Sequence, residues 1–334
     1  MKRSIFEKIF LWVRLLVTAI ATLAIFNYPR TWWQELICAT SLVWGTGIFL
    51  AVCFDIARFR RISWTLPRTM LVLLQILCVA RTGQVVMPYL YAKRKPYPQL
   101  VYSSPARFLF IDISARKGNV HADALAAFIQ VEDPSVVILT RYADTSILEG
   151  VADRFPYRVF SGSAETRVVE IFSKLKIQEP VRRDYGYAAL PAVAGEFLTP
   201  EGNPLVIGAF DALPPYNQED FVRSRLTSRR LASFFKYATK PQIVLGAFRT
   251  SVTSQIVSMY PSQLGLRALS FDSGISIIPD LLRQSFTFDT ALHVFTARRI
   301  EISRVIESRA DDGGFSAILF DARIPRERGD SERK

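Results

Sequence analysis

Histidine is nearly missing from this chain. His121 and His293 are its two examples and stand far apart, which excludes a histidine-rich metal site and leaves few imidazoles for general-base work. Cysteine is scarce too, and Cys38, Cys53 and Cys78 all fall in the apolar first third. The rest of the chain therefore offers no disulfide, thiol nucleophile or thiolate metal site. A basic surface is also missing where it would matter. The formal net charge is +12, but residues 1–96 carry 13 Lys/Arg against 3 Asp/Glu and the remainder carries 29 against 27. Nothing in that balance makes the larger part a partner for nucleic acid. No internal repeat is visible.

Apolar residues are abundant. They make up 50% of the chain and concentrate at the front, in three runs near the length of about 20 residues that a membrane span needs. Residues 9–28 hold a single charge, Arg14, near the first end, where it can snorkel. Residues 36–54 carry no charge before their end, and Trp32 and Trp33 precede them as interfacial anchors. Residues 69–91 contain Gln75, Arg81 and Gln84; the last two share a helix face that would turn toward the other helices. No small-residue cleavage site follows the first run, so residues 1–92 read as a three-helix anchor rather than a leader. Lys2, Arg3 and Lys8 precede the first run and Arg58, Arg60, Arg61 and Arg68 lie between the second and third, against Arg30 alone in the first loop. The positive-inside rule then predicts a multi-pass protein of the cytoplasmic (inner) membrane with its larger domain extracytoplasmic, in the periplasm. Lys93-Arg94-Lys95 runs against that rule. Were the third run not to cross, the domain would be cytosolic.

Residues 93–105 form a basic, proline-interrupted linker, 106–324 a folded domain, and 325–334 a charged tail predicted to be disordered. Short β-rich runs predict strands over Arg107–Asp112, Val136–Thr140, Tyr157–Phe160, Val168–Phe172, Leu205–Phe210, Ile243–Phe248, Leu292–Thr296 and Ala317–Asp321. Several are apolar at consecutive positions, as in strands covered on both faces. Helices are predicted over Val120–Val131, Glu219–Tyr237 and Ser251–Met259. The second has Phe221, Leu231 and Phe235 for a buried side and leaves Arg223, Arg229 and Arg230 as a solvated face.

One stretch, PQIVLGAFRT at 241–250, has the shape of a catalytic strand end: an apolar strand, a glycine and a short turn. Yet Ala247 and Phe248 follow the glycine. The stretches RFLFID, NVHADALAAFIQVEDPSVVILTR, FPYRVF, VVEIFSKLKI, VIGAFDALPP, IVLGAFRT and GGFSAILFDARI follow one another. In that order they resemble the endonuclease/exonuclease/phosphatase superfamily, most of all its bacterial branch with three N-terminal membrane helices. The resemblance implies a two-sheet α/β sandwich over residues 107–324. It also implies losses. Asp112 stands where the family ends its first strand on asparagine, and Thr140-Arg141 where it ends the next on Gln-Glu, the glutamate binding magnesium. Phe210 falls at a catalytic histidine, Ala247 and Arg249 at the aspartate and asparagine of Gly-Asp-Phe-Asn, and Gly314 and Phe315 at the terminal Asp-His. The family's remaining Asp-His pair is replaced within Asp289–Leu292.

Those losses bear on chemistry. Magnesium wants carboxylates and water in near-octahedral geometry. A unit charge such as Arg141 at about 4 Å from a dication costs roughly 8 kcal/mol at an effective dielectric of about 20. Losing the base costs about two to four decades in rate. The resemblance thus implies a pseudoenzyme: no catalytic residues, no metal and no cofactor, a module for binding or assembly whose partners are the lipid bilayer and a membrane or periplasmic protein. Asp112 would pair with Arg141 or Arg249 as a buried ion pair. In the alternative, Arg141 and Arg249 hold a phosphate or carboxylate as a fork. A further reading is an active, magnesium-dependent phosphoesterase that regroups Asp112, Asp211, Asp289, Asp311 and Asp312. His121 reads as a surface residue, His293 as a strand residue sharing no metal site with Asp289, and Asp311-Asp312 as a turn.

Overall fold

The computed structural model describes residues 2–26, 29–57, 65–90, 100–113, 122–142, 152–162, 167–183, 185, 189–251, 253–269, 292–309 and 315–326. Four helices come first: α1 (Lys2–Phe26), α2 (Trp32–Ala39), α3 (Ser41–Ala57) and α4 (Leu66–Leu90). Within α1 and α4, Lys8–Phe26 and Leu66–Gln84 are long and apolar enough to cross a membrane. The middle apolar run is not one straight helix. It is split into α2 and α3, which meet at 60° and count as one span only if taken together. Thr40 marks the break, its hydroxyl donating to the Leu36 carbonyl at 2.8 Å. The short α2 turns away to pack on the sandwich, and Trp32 goes with it. Instead of anchoring at the lipid interface, Trp32 packs against the core of the folded domain, whereas Trp33 stays exposed.

The sandwich follows as β1 (Ala106–Asp112), α5 (Ala122–Glu132), β2 (Val136–Tyr142), β3 (Tyr157–Ser161), β4 (Arg167–Ser173), β5 (Lys176–Arg182), β6 (Ala192–Leu198), β7 (Pro204–Asp211), α6 (Gln218–Lys236), β8 (Gln242–Ala247), α7 (Gln255–Gln263), β9 (Arg267–Ala268), β10 (Leu292–Thr296), β11 (Glu301–Arg309) and β12 (Ser316–Arg323). They form two six-stranded sheets, ordered β11-β12-β1-β2-β4-β3 and β5-β6-β7-β8-β10-β9. β1 and β2 run parallel, as do β7 and β8, each pair at the middle of its sheet. The other described pairings are antiparallel.

Side chains alternate along a strand, so each sheet offers two faces. Phe108, Phe110, Ile138 and Phe320 of one sheet meet Ile207, Ala209, Leu245 and Val294 of the other between the layers. On the outside of the first sheet, Leu109 and Ile111 take Leu125 and Ile129 of α5. On the outside of the second, Phe210, Val244 and Phe295 take Phe221 and Phe235 of α6 and Val257 and Tyr260 of α7. With both faces covered, β7 is buried along its whole length, in keeping with a sequence that is apolar up to its last residue, Asp211. Gly208 keeps that layer tight, since a Cβ there would lie 2.5 Å from the Phe235 ring.

Candidate functional site at the strand ends

The two parallel pairs bring four strand ends together. In register, Asp112 of β1 lies beside Thr140 of β2, and Asp211 of β7 beside Ala247 of β8. Each ends a row that faces the space between the sheets. Asp112 follows Phe108 and Phe110, Thr140 follows Val136 and Ile138, Asp211 follows Leu205, Ile207 and Ala209, and Ala247 follows Ile243 and Leu245. The last inward positions are thus two acids, a hydroxyl and a methyl.

Arg249, two residues past β8, reaches into this space. Its φ of 53° places a non-glycine residue in the left-handed region, a backbone conformation costing about 1–2 kcal/mol. The guanidinium Nη2 donates to Asp112 Oδ1 at 2.7 Å and to Asp211 Oδ1 at 3.3 Å. Thr140 Oγ1 also donates to Asp112 Oδ1, at 2.7 Å. The Arg249 side chain is 1% exposed, and those of Asp112 and Asp211 are 3% and 0% exposed. Burial by itself pushes the guanidinium pKa down; the two carboxylates, Asp112 ahead of Asp211, outweigh it and hold it above its ordinary value.

Arg249, one of the two expected partners for Asp112, pairs with it. The Arg141 side chain, Gly314, His121, Asp289, Asp311 and Asp312 lie outside the described residues, so the regrouped set of five acids is met here by Asp112 and Asp211. As an anion fork, Arg249 is corrected: both carboxylates already hold its guanidinium. Phe210 is corrected as well. It faces the helix layer, where its ring meets Phe248 edge-on at 5.4 Å, and Asp211 is the β7 residue that faces the site. The sequence offers Asp211 only as one of five acids to be regrouped, with Phe210 at the family's histidine; the two-residue alternation from Leu205 is what singles Asp211 out as inward-facing. Phe315 lies against Phe128 of α5, on the outside of the first sheet, with ring centroids 6.4 Å apart.

His293 also faces the helix layer. It pairs across strands with Gly246, packs on Phe248 at 5.6 Å, and its Nε2 lies 3.0 Å from the Thr250 carbonyl. Burial lowers its pKa to about 4, against a smaller upward pull from that carbonyl. It is a neutral imidazole that braces the loop carrying Arg249, donating from Nε2. Gly246 makes room for this cluster, because a Cβ there would lie 2.7 Å from the Phe248 ring and 3.0 Å from the Phe210 carbonyl oxygen.

The architecture has counterparts of known structure. The chain is similar to the human Nocturnin catalytic domain, solved with a bound sulfate anion, at 13% identity and a TM-score of 0.51, over 69% of this chain and 99% of that one. It is also similar to an endonuclease/exonuclease/phosphatase from Beutenbergia cavernae DSM 12333, at 14% identity and a TM-score of 0.49, over 67% of this chain and 72% of that one. The chain has the endonuclease/exonuclease/phosphatase fold. No protein-family model and no curated protein matches it. Identities this low speak to the fold, and the chemistry has to be read from the residues.

The hard cation that this fold implies does not suit the described residues at the strand ends. Among the described residues, no group of three or more His, Cys, Asp or Glu side chains is placed to hold a metal. The two acids that meet are bridged by a guanidinium, and the strand between them and the loop ends on the methyl of Ala247. The repulsion argued for a cation at Arg141 applies to Arg249 too, whose buried charge is poorly screened.

The loop after Arg249 has other work in this version of the endonuclease/exonuclease/phosphatase fold. Ser251 Oγ and Thr253 Oγ1, the latter at 3.0 Å, donate to the Ala39 carbonyl at the end of α2. Ser254 Oγ donates to Glu35 of α2 and accepts from the Ile256 amide, capping α7. From α6, Arg225 Nη1 donates to the Pro29 carbonyl at 2.9 Å, and Gln218 Oε1 accepts from the Trp32 amide at 3.1 Å. Residues spent on these bonds explain why α7 starts at Gln255 rather than Ser251. The same segment serves the ion pair and the dock for the anchor.

Proposed function

We propose that this chain is a membrane-anchored protein of the endonuclease/exonuclease/phosphatase fold that binds or assembles at the membrane and does not hydrolyse phosphoesters. The observation that carries this reading is Arg249, whose buried guanidinium bridges Asp112 and Asp211 at the strand ends. A fixed internal cation bonds both acids and offsets one of their two negative charges from within the chain, which favours a site without a metal or cofactor. The bonds from Ser251, Thr253 and Ser254 to α2 support a role in which the domain is held at a set orientation to its anchor. The Lys/Arg asymmetry of the front segment favours a cytoplasmic N-terminus and a periplasmic domain at the cytoplasmic (inner) membrane. The partners fitting this reading are the bilayer and a membrane or periplasmic protein, not nucleic acid.

The test is an assay of the purified full-length protein on aryl phosphomonoesters and phosphodiesters with magnesium or manganese. We expect no turnover above that of an Asp112→Asn variant. Metal-dependent turnover that this substitution abolishes, with the variant's melting temperature unchanged, would establish a phosphoesterase with a rearranged acidic set instead.

A further inference from the structure

A polar cavity of about 220 Å³ lies where the anchor meets the sandwich. Its wall includes Phe26 from the end of α1, Arg81 and Thr82 from α4, and Thr253, Ser258 and Ser262 from the start and body of α7 with its preceding loop. Phe26 and Gln84 end the two membrane-crossing windows, so Arg81, three residues before Gln84, sits at the level of lipid headgroups rather than acyl chains.

Two polar atoms in this wall, Arg81 Nε and Thr82 Oγ1, are buried with no hydrogen-bond partner. The remaining contacts of Arg81 do not neutralise it. Nη1 donates to Gln84 Oε1 at 2.7 Å, and the guanidinium lies 5.9 Å from the centroid of the Phe26 ring. Glu35, the buried acid of α2, bonds Ser254 through one carboxylate oxygen and does not line the cavity. A partly buried cation with an unused donor is costly unless an anion completes it. Guanidinium and hydroxyl donors around a site with no acid in its wall suit a phosphate oxygen set. The volume equals about seven waters at ~30 Å³ each, room for one phosphate and a short polar substituent.

We propose that this cavity binds a phosphate group at the membrane surface, with Arg81 as its counter-ion and Thr82 and Ser258 as hydrogen-bond donors. The inference stands apart from the reading of the strand-end site and does not depend on whether that site is silent.

The experiment uses full-length protein in a phosphate-free maltoside detergent. It is titrated separately with short-chain phosphatidylglycerol, the matching diacylglycerol and inorganic phosphate, reading melting temperature and retained adducts by native mass spectrometry. A rise in melting temperature with phosphatidylglycerol and none with diacylglycerol is expected. Arg81→Gln should weaken that binding about tenfold or more. Ser258→Leu fills the cavity without touching the guanidinium and should give the same loss, so it decides the matter if Arg81→Gln folds poorly. Stabilisation by phosphatidylglycerol alone identifies a lipid headgroup as the source, and equal stabilisation by inorganic phosphate identifies a free phosphate. The proposal falls if neither phosphate compound binds, or if binding survives both substitutions.

Discussion

Arg249 Nη2 lies 2.7 Å from Asp112 Oδ1, and that bond ties the two sheets together at their strand ends. Asp112 closes β1 of one sheet; Arg249 follows β8 of the other and also holds Asp211 of β7. A charge that a metal ion could lend reversibly is here covalently part of the chain. Its cost is a left-handed backbone at Arg249, tolerated because the surrounding bonds over-determine the turn.

Removing that cation should therefore be severe. Arg249→Met leaves two buried carboxylates facing each other and should destabilise the protein by about 3–5 kcal/mol in urea unfolding. Replacing the trio together, with Asp112→Leu and Asp211→Leu added, should recover most of the loss, because buried ion networks exchange for apolar groups at little net cost. Manganese should raise the melting temperature of Arg249→Ala and leave the parent protein unmoved. An Arg249→Met variant as stable as the parent would show that the bridge holds nothing together.

Gly246 predicts a second, purely steric effect. In Gly246→Ala the new methyl meets the Phe248 ring and a backbone oxygen, and overpacking of this kind costs about 1–3 kcal/mol. Adding Phe248→Leu should return part of it, a coupling readable in a double-mutant cycle. Strict additivity of the two changes would count against the contact.

Much of the sandwich is legible in the sequence because its central strands are covered on both faces, and apolar runs such as Leu205–Phe210 and Ile243–Phe248 announce that. β6 and β11 are harder to see. β6 is built on Ala192, Ala194 and Gly195, which carry little strand propensity, and β11 is an edge strand interrupted by a bulge between Ser303 and Ile306. At the site, the partnership of Asp112 with an arginine is readable from the strand ends. Phe210 and Phe315 are misplaced because resemblance aligns letters, whereas the pleat decides which letter faces inward. The broken middle span is invisible to hydropathy, because residues 36–54 form one uncharged, apolar run and a hydropathy sum takes no account of a docking surface.

His293 sets the acid side of the stability profile. Its folded pKa of about 4 lies below the ordinary value of 6.5, so on acidification the unfolded chain takes up the proton first. Stability from this group is full above pH 6.5 and is lost as pH falls from there toward 4, by up to about 3 kcal/mol. His293→Gln keeps an amide donor for the Thr250 carbonyl and does not titrate. Its melting temperature should fall less than that of the parent across this window. Parallel curves for the two proteins would mean that His293 is not held neutral.

The dock between anchor and domain should open before the sandwich does. Arg225 and Gln218 bind the turn between α1 and α2 through Pro29, Arg30 and Trp32, and a charged donor on a neutral carbonyl contributes about 1.5–3 kcal/mol. In Arg225→Ala combined with Gln218→Ala, amide exchange across Trp32–Ala39 should quicken by about tenfold or more. Exchange inside β7 should stay at the parent rate, since that strand is buried by the sandwich itself. This contrast separates local undocking from global loss of stability: equal acceleration in both segments would point to the latter, and no change in α2 would mean that Ser251, Thr253 and Ser254 alone hold the anchor in place.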